Sequence, residues 1–341
     1  MTTLFPAKRG RALILNSQFL LVLLEMASTY KIIFDTDPGV DDAMALLLAL
    51  SSPEIDVVGV TTVFGNSNVE STTVNALNLL HLADRMDIPV AKGAGQPMVL
   101  PLGLTGEFVH GDDGMGSINW WQPNHPEHKP VDKHAAQLIV DMIMSNPGEI
   151  TLVPVGPLTN IGLALQLEPR IARNVRNVVI MGGSVAAGGN VSPVAEANIH
   201  NDPHAASLVF SAPWDVTMAG MDVTTAVKMN DDLFAALGQS QNKFGQFIAR
   251  VIPFYQKFHR EHYGYTHGAT DTHDPSAIAY LIDPTLFKGE RWSIKVPLDG
   301  LAAGMTMADR SGKHFDTPKT HCLMQVDGTR FLAMYKARLT Q

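Results

Sequence analysis

The stretch Ile32-Ile33-Phe34-Asp35-Thr36-Asp37-Pro38-Gly39-Val40-Asp41-Asp42-Ala43-Met44-Ala45-Leu46-Leu47-Leu48 sets four carboxylates between an apolar run and a helical pattern. A β-strand that runs out into a Pro-Gly turn, followed by a helix N-terminus, brings those acids together at one end of a sheet. Unneutralised charges packed so closely repel one another, and an all-oxygen ligand set suits a hard ion such as Ca²⁺ or Mg²⁺. Asx turns and the helix dipole account for one or two of the acids, but not for the whole set.

Outward from this stretch, short β-branched runs alternate with amphipathic helical patterns from Lys31 onward. That alternation predicts an α/β fold, a single domain with a mostly parallel central sheet flanked by helices. Strands are expected at 31–34, 56–62, 88–91, 150–154, 175–181 and 215–219. Helices are expected at 41–50, 69–86, 132–144, 158–166, 203–210, 231–237, 243–262 and 275–281. Segments 95–129 and 182–201 lack periodicity, and loops of that length in a compact domain are usually functional. Ligands of open α/β sheets sit beyond the carboxyl ends of the strands. The acidic run, Thr62-Val63-Phe64-Gly65-Asn66, Val155-Gly156-Pro157 and the loop 182–201 all follow expected strands, so one crevice can collect them.

Composition narrows the function classes. The 341 residues carry a formal charge of −8 and no dense Lys/Arg patch, which argues against nucleic acid as a partner. The single cysteine, Cys322, excludes an intrachain disulfide framework and a cysteine-based zinc site, and fits the reducing cytoplasm. Lys8, Arg9 and Arg11 precede an apolar stretch at 12–24 that resembles a short signal region. Asn16, Ser17 and Gln18 interrupt it, it is too short to span a bilayer, and no small-residue cleavage site follows before Glu25. Residues 1–28 are therefore expected to form an extension outside the fold, upstream of an ordinary start at Met26, with 29–341 as the domain and no membrane partner. An export signal is the alternative.

Asp37 and Asp42, separated by a tight turn, can approach one ion from two sides, and a carboxylate beside a metal-bound water is a ready general base. Asn190-Val191-Ser192-Pro193-Val194-Ala195-Glu196-Ala197-Asn198 offers two amides and an acid, a mixture that suits sugar hydroxyls as well as a plain polar loop. In His273-Asp274-Pro275, the acid before proline is what any helix start would choose, yet it can also serve the ion, with His273 donating a proton to a leaving group. His110-Gly111-Asp112-Asp113-Gly114 is a candidate lip of the site or a glycine-rich turn. Trp120-Trp121 and the stripe Phe254, Tyr255, Phe258, His259, His262, Tyr263 supply flat surfaces, which at helical spacing more often pack in a core than hold a ligand.

With these motifs assembled, the chain from about Lys31 to its C-terminus resembles the inosine-uridine nucleoside hydrolase family. The most specific marks are Asp35-Thr36-Asp37-Pro38-Gly39-Val40-Asp41-Asp42-Ala43, Thr62-Val63-Phe64-Gly65-Asn66, Gly156-Pro157-Leu158-Thr159-Asn160, Val179-Ile180-Met181-Gly182-Gly183, Glu196-Ala197-Asn198 and His273-Asp274-Pro275. The resemblance implies a Rossmann-like fold and hydrolysis of the N-glycosidic bond of ribonucleosides to ribose and free base, in nucleoside salvage or catabolism. It implies Ca²⁺ held by Asp37, Asp42, the Val155 carbonyl and Asp274, with Asp37 also the general base on the calcium-bound water. It assigns Asp41, Asn190, Glu196 and Asn198 to the ribose hydroxyls, places Asn66 behind the reacting centre, and makes His273 the leaving-group acid and His110 a base-pocket residue. A homodimer or homotetramer is expected by the same analogy. The base preference and the roles of Gln256, His259, Tyr263, Tyr265 and His267 stay open. Two other classes compete: a Mg²⁺-dependent haloacid-dehalogenase-like phosphatase with Asp35 as nucleophile, which lacks its later Lys and acidic pair here, and a catalytically silent calcium-dependent ribose-binding protein.

Overall fold

Strand β1 (Tyr30–Thr36) sends Ile32 and Phe34 to one face of the sheet and Ile33 to the other, and all three are fully buried. A strand buried on both faces reads as a continuous apolar run, as a parallel sheet covered by helices requires. The computed structural model describes residues 29–103, 105–120 and 128–341. The expected extension at 1–28, and Trp121, lie outside the described residues.

The remaining strands are β2 (Ile55–Thr62), β3 (Val90–Lys92), β4 (Ile150–Pro154), β5 (Asn177–Met181), β6 (Val216–Ala219), β7 (Lys228–Met229), β8 (Thr270–Asp271), β9 (Phe287–Lys295), β10 (Met307–Asp309) and β11 (Lys319–Val326). The helices are α1 (Val40–Leu50), α2 (Val69–Leu82), α3 (Glu107–His110), α4 (Ala135–Ser145), α5 (Thr159–Leu167), α6 (Ile171–Asn174), α7 (Ala197–Asn201), α8 (Pro203–Ser211), α9 (Met221–Thr224), α10 (Asp231–Gln239), α11 (Lys243–Tyr263), α12 (Pro275–Ile282) and α13 (Gly328–Thr340).

Nine strands form one sheet in the order β10-β9-β11-β6-β5-β4-β1-β2-β3, and β7 pairs with β8 separately. From β3 across to β11 every pairing is parallel, while β9 and β10 run antiparallel at one edge. Strand order reverses at β1, with β2 and β3 on one side and β4 to β6 on the other. This is the switch point at which such sheets open a crevice beyond their carboxyl ends. Asp35 pairs with Pro154 across it, and the Val155 N–H donates to the Asp35 carbonyl at 2.8 Å, so the loops leaving β1 and β4 start side by side. One face packs on α1, α2 and α10 to α13, the other on α4, α5, α6 and α8.

The six expected strands and eight expected helices all correspond to observed elements. The helix expected over 69–86 stops at Leu82, because the chain turns through Asp84 at φ 56. Strands β9 to β11 and helix α13 have no expected counterpart. β9 and β11, which lie inside the short edge strand β10, mix lysine, histidine, glycine and a glutamate into their runs, as an antiparallel pair partly open to water permits.

Candidate active site

The turn after β1 is built around glycine. A Cβ on Gly65 or on Gly156 would collide with the Asp37 carboxylate, and one on Gly39 would lie 2.6 Å from His110 Nδ1 and 2.8 Å from Asn66 Nδ2. Only residues without a side chain let three loops close so tightly on Asp37. Its Oδ2 accepts the Asn66 N–H at 2.7 Å, whereas Oδ1 is buried with no hydrogen-bond partner. Asp42, in the first turn of α1, is oriented by four donors. Its Oδ1 takes the Thr36 hydroxyl at 2.5 Å and the Asp37 N–H at 3.2 Å; its Oδ2 takes the Gly39 N–H at 2.9 Å and Asn66 Nδ2 at 2.8 Å. Asn66 therefore holds both acids at once.

One oxygen each from Asp41, Asp42 and Asp274 lies within 4.8 Å of the others, and all three residues are buried. Asp41 offers a partnerless Oδ1, while its Oδ2 accepts the Tyr255 hydroxyl at 3.3 Å. Asp274 precedes Pro275 at the start of α12 but makes no capping hydrogen bond, so the bland helix-start reading does not describe it. Burial raises the pKa of all four acids. Asp37 is pushed well up by burial and then by Asp42, and Asp274 by burial and then by Asp41, Asp42 and Asp37. Such a cluster is stabilised by a cation in its midst, and buried, unpartnered carboxylate oxygens are the donor set a hard dication takes. The residues present fit such an ion.

The opposite wall comes from the loop after β5. Glu196 is buried and caps α7, accepting N–H groups of Gly183 at 2.8 Å, Asn198 at 3.0 Å and Ile199 at 3.3 Å; burial nevertheless raises its pKa to about 7. Asn190 spends its carbonyl on the Ala197 N–H at 3.0 Å, leaving its amide N–H₂ as a donor. Asn198 spends its amide on the Val155 and Met181 carbonyls, at 2.7 and 3.2 Å, leaving its oxygen as an acceptor. The wall thus offers a donor, an acceptor and a carboxylate side by side, the complement of adjacent hydroxyls.

Above this floor lies a cavity of about 310 Å³ roofed by Phe108, Phe258, His262 and Tyr263. His110 Nδ1 accepts the Val40 N–H at 3.2 Å, which fixes the proton of the neutral ring on Nε2; burial lowers its pKa to about 4, so the ring is a neutral donor at pH 7. His273 also lines the cavity, its Nδ1 2.9 Å from the Thr224 hydroxyl and its Nε2 3.8 Å from buried Asp271. Asp271 is in turn paired with Lys228, and despite burial its pKa is lowered to about 2 by the His259 hydrogen bond and the cations around it.

Residues 32–333 match the model of the family described as inosine-uridine preferring nucleoside hydrolase. The chain belongs to this nucleoside hydrolase family. It is 39% identical over 319 residues to a probable uridine nucleosidase 2 of Arabidopsis thaliana, covering 91% of this chain and 98% of the relative. It is 40% identical over 303 residues to an inosine-uridine preferring nucleoside hydrolase of Leishmania major, covering 88% and 94%. The solved structure of a plant nucleoside hydrolase superposes with a TM-score of 0.87 at 37% identity, covering 91% of this chain and 99% of that one. The phosphatase reading of the acidic run is not favoured by any of these likenesses.

In this nucleoside hydrolase the structure brings the sequence-predicted residues to one place. Asn66, Asp41, His110, Val155, Asn190, Glu196, Asn198, His273 and Asp274 line the cavity, and Asp37 and Asp42 sit directly behind its floor. Among the described residues, the all-carboxylate group whose oxygens lie within 4.8 Å of one another contains Asp41, not Asp37. Asp35 turns away, accepting from Thr61 and Asn160 at 2.5 and 2.8 Å, with burial raising its pKa to about 7. Asp113 caps its own turn through the Met115, Ser117 and Asn119 N–H groups. Half-buried Trp120 packs at a tilt on Phe247 against the core, whereas Tyr255, Phe258, His259, His262 and Tyr263 of the aromatic stripe line the cavity. Sequence reasoning missed the Tyr255 bond to Asp41 and the Lys228–Asp271 pair, because neither partner lies near its mate in the chain.

Proposed function

We propose that this ribonucleoside hydrolase works with Ca²⁺ held by Asp37, Asp42, Asp274 and the Val155 carbonyl, and that Asp41, Asn190, Glu196 and Asn198 bind the ribose. The observation that carries this reading is the pair of buried carboxylate oxygens, Asp37 Oδ1 and Asp41 Oδ1, left without partners beneath a cavity of nucleoside-compatible size and lining. When bound, the ion neutralises the acidic cluster and acidifies a water beside it.

The chain's own residues supply the rest. Asn190 donates to a ribose hydroxyl while Asn198 and Glu196 accept, so the sugar is fixed over the acidic floor with its hydroxyls paired. As the C1′–N bond stretches, the sugar takes on oxocarbenium character, and the surrounding carboxylates stabilise that positive charge more than they stabilise the neutral substrate. Asp37 Oδ1 takes the proton of the attacking water. The departing base gains a proton from the histidine side of the cavity, His273 donating and His110 presenting its Nε2–H. The aromatic roof covers the base and keeps bulk water away.

Uridine and inosine are the first substrates to try, since relatives named for them align over most of this chain. The reading includes action in the cytoplasm as a homodimer or homotetramer, by family analogy; among the described residues no helix is long and apolar enough to cross a membrane. A panel of ribonucleosides assayed for free ribose, with Asp37→Ala beside the wild type, tests the assignment. Ribose release by the wild type and a loss of several orders of magnitude in the variant are expected. Saturable ribose binding without release of any base would establish the silent binding protein instead.

A further inference from the structure

Two walls of the cavity are tied to a segment that does not line it. Helix α9 follows β6 and carries Asp222 and Thr224. The Asp222 carboxylate accepts three consecutive backbone N–H groups, Val185 on Oδ2 at 2.7 Å and Ala186 and Ala187 on Oδ1 at 2.7 and 3.0 Å. Beside it the Met221 N–H donates to the Gly183 carbonyl at 2.9 Å. These bonds pin the start of the loop that goes on to present Asn190 and Glu196. Consecutive N–H groups converging on one point form a nest for an anion, and without the carboxylate they lose their acceptor.

Two residues further on, buried Thr224 holds the other wall. Its hydroxyl lies 2.9 Å from His273 Nδ1, and its carbonyl accepts both the N–H and the hydroxyl of Thr272 at 3.1 Å. The His273 ring is therefore held in orientation from behind, with the cavity on its far side.

We propose that Asp222 and Thr224 are positioning residues, one segment setting both the sugar loop and the leaving-group histidine of the reaction. The inference rests on the hydrolase reading above and deepens it: Asp222 governs how well the sugar is held, and Thr224 governs protonation of the base through the orientation of His273. A nitrophenolate leaves without needing a proton, whereas a nucleobase needs one. The two functions therefore separate by substrate.

The test compares wild type, Asp222→Asn, Thr224→Val and Thr224→Ser on uridine and on p-nitrophenyl β-ribofuranoside, all in calcium. Asp222→Asn replaces one acceptor oxygen with a donor facing an N–H. It should raise KM for both substrates about tenfold while kcat changes less than threefold, since binding to the sugar is common to both. Thr224→Val should lower kcat on uridine at least tenfold and on the nitrophenyl riboside less than twofold, with Thr224→Ser restoring uridine turnover. Equal losses on the two substrates in Thr224→Val, or no loss on either, would overturn the role of Thr224. An unchanged KM in Asp222→Asn would overturn that of Asp222. A wild type inactive on both substrates would instead defeat the hydrolase reading itself, so the two failures are distinguishable.

Discussion

Alanine at position 39 would insert a methyl group into the joint between three parts of the site. Its Cβ would lie 2.6 Å from His110 Nδ1, 2.9 Å from His110 Cγ and 2.8 Å from Asn66 Nδ2, where ordinary contact begins at 3.4 Å. The imidazole must retreat by about 0.8 Å and the Asn66 amide by about 0.6 Å, since the backbone conformation at Gly39, φ −103, accepts any residue and gives no other relief. Retreat of Asn66 breaks its charge-assisted bond to Asp42, worth about 1.5–3 kcal/mol. Retreat of His110 loosens the Val40 N–H bond that sets its tautomer. Misplacement approaching 1 Å costs on the order of a hundredfold in rate. Gly39→Ala is therefore expected to lower kcat/KM on a ribonucleoside by about ten- to a hundredfold, roughly 1.4–2.7 kcal/mol. The assay is steady-state release of ribose, with thermal melting in calcium as a control on folding. A folded Gly39→Ala protein with wild-type kcat/KM would refute the packing argument.

Removing the Asn66 side chain by Asn66→Ala deletes the donor to Asp42 but spares the backbone bond to Asp37, and it should weaken calcium binding about tenfold by titration calorimetry, with the residual bond to Asp37 preserving the fold. Stability of the chelator-treated protein should depend on pH through Glu196. Its folded pKa of about 7 lies above the ordinary 4.5, so the contribution is fully present below 4.5 and is lost as pH rises through about 7. The melting temperature without calcium should fall between about pH 5 and 7 and level off above, and Glu196→Gln should lessen that decline, which Asp35 shares; a melting temperature rising over this range would contradict the sign.

The strand-turn-helix of residues 32–48 was legible because apolar alternation, a Pro-Gly turn and first-turn acids all point to one local structure. Convergence of Asn66, Val155, Glu196 and Asp274 on it was legible in outline, since each follows an expected strand or opens an expected helix. The switch point at β1 explains why those loops meet, and strand order is set by long-range pairing that a local pattern does not encode. Strands β9 and β11 stayed hidden because their partly wet faces weaken the apolar alternation. Tyr255 belongs by its spacing to a core stripe, and it is buried, but its hydroxyl also reaches Asp41 from 214 residues away. Asp222 and Thr224 left no trace in the pattern, since a four-residue helix has no periodicity and both act through other residues. The Val155 carbonyl was accessible only through family resemblance, because a backbone oxygen has no side-chain signature.

In the proposed scheme glycosidic hydrolysis depends on a cation seated among Asp37, Asp42, Asp274 and the Val155 carbonyl. The most direct measurement is ribose release from uridine and inosine by protein stripped with a chelator, read before and after titration with Ca²⁺. Activity that is absent after stripping, returns with Ca²⁺ in the wild type and stays absent in Asp37→Ala is the predicted result. Full activity in the stripped protein, or Ca²⁺-restored turnover in Asp37→Ala equal to that of the wild type, would contradict it.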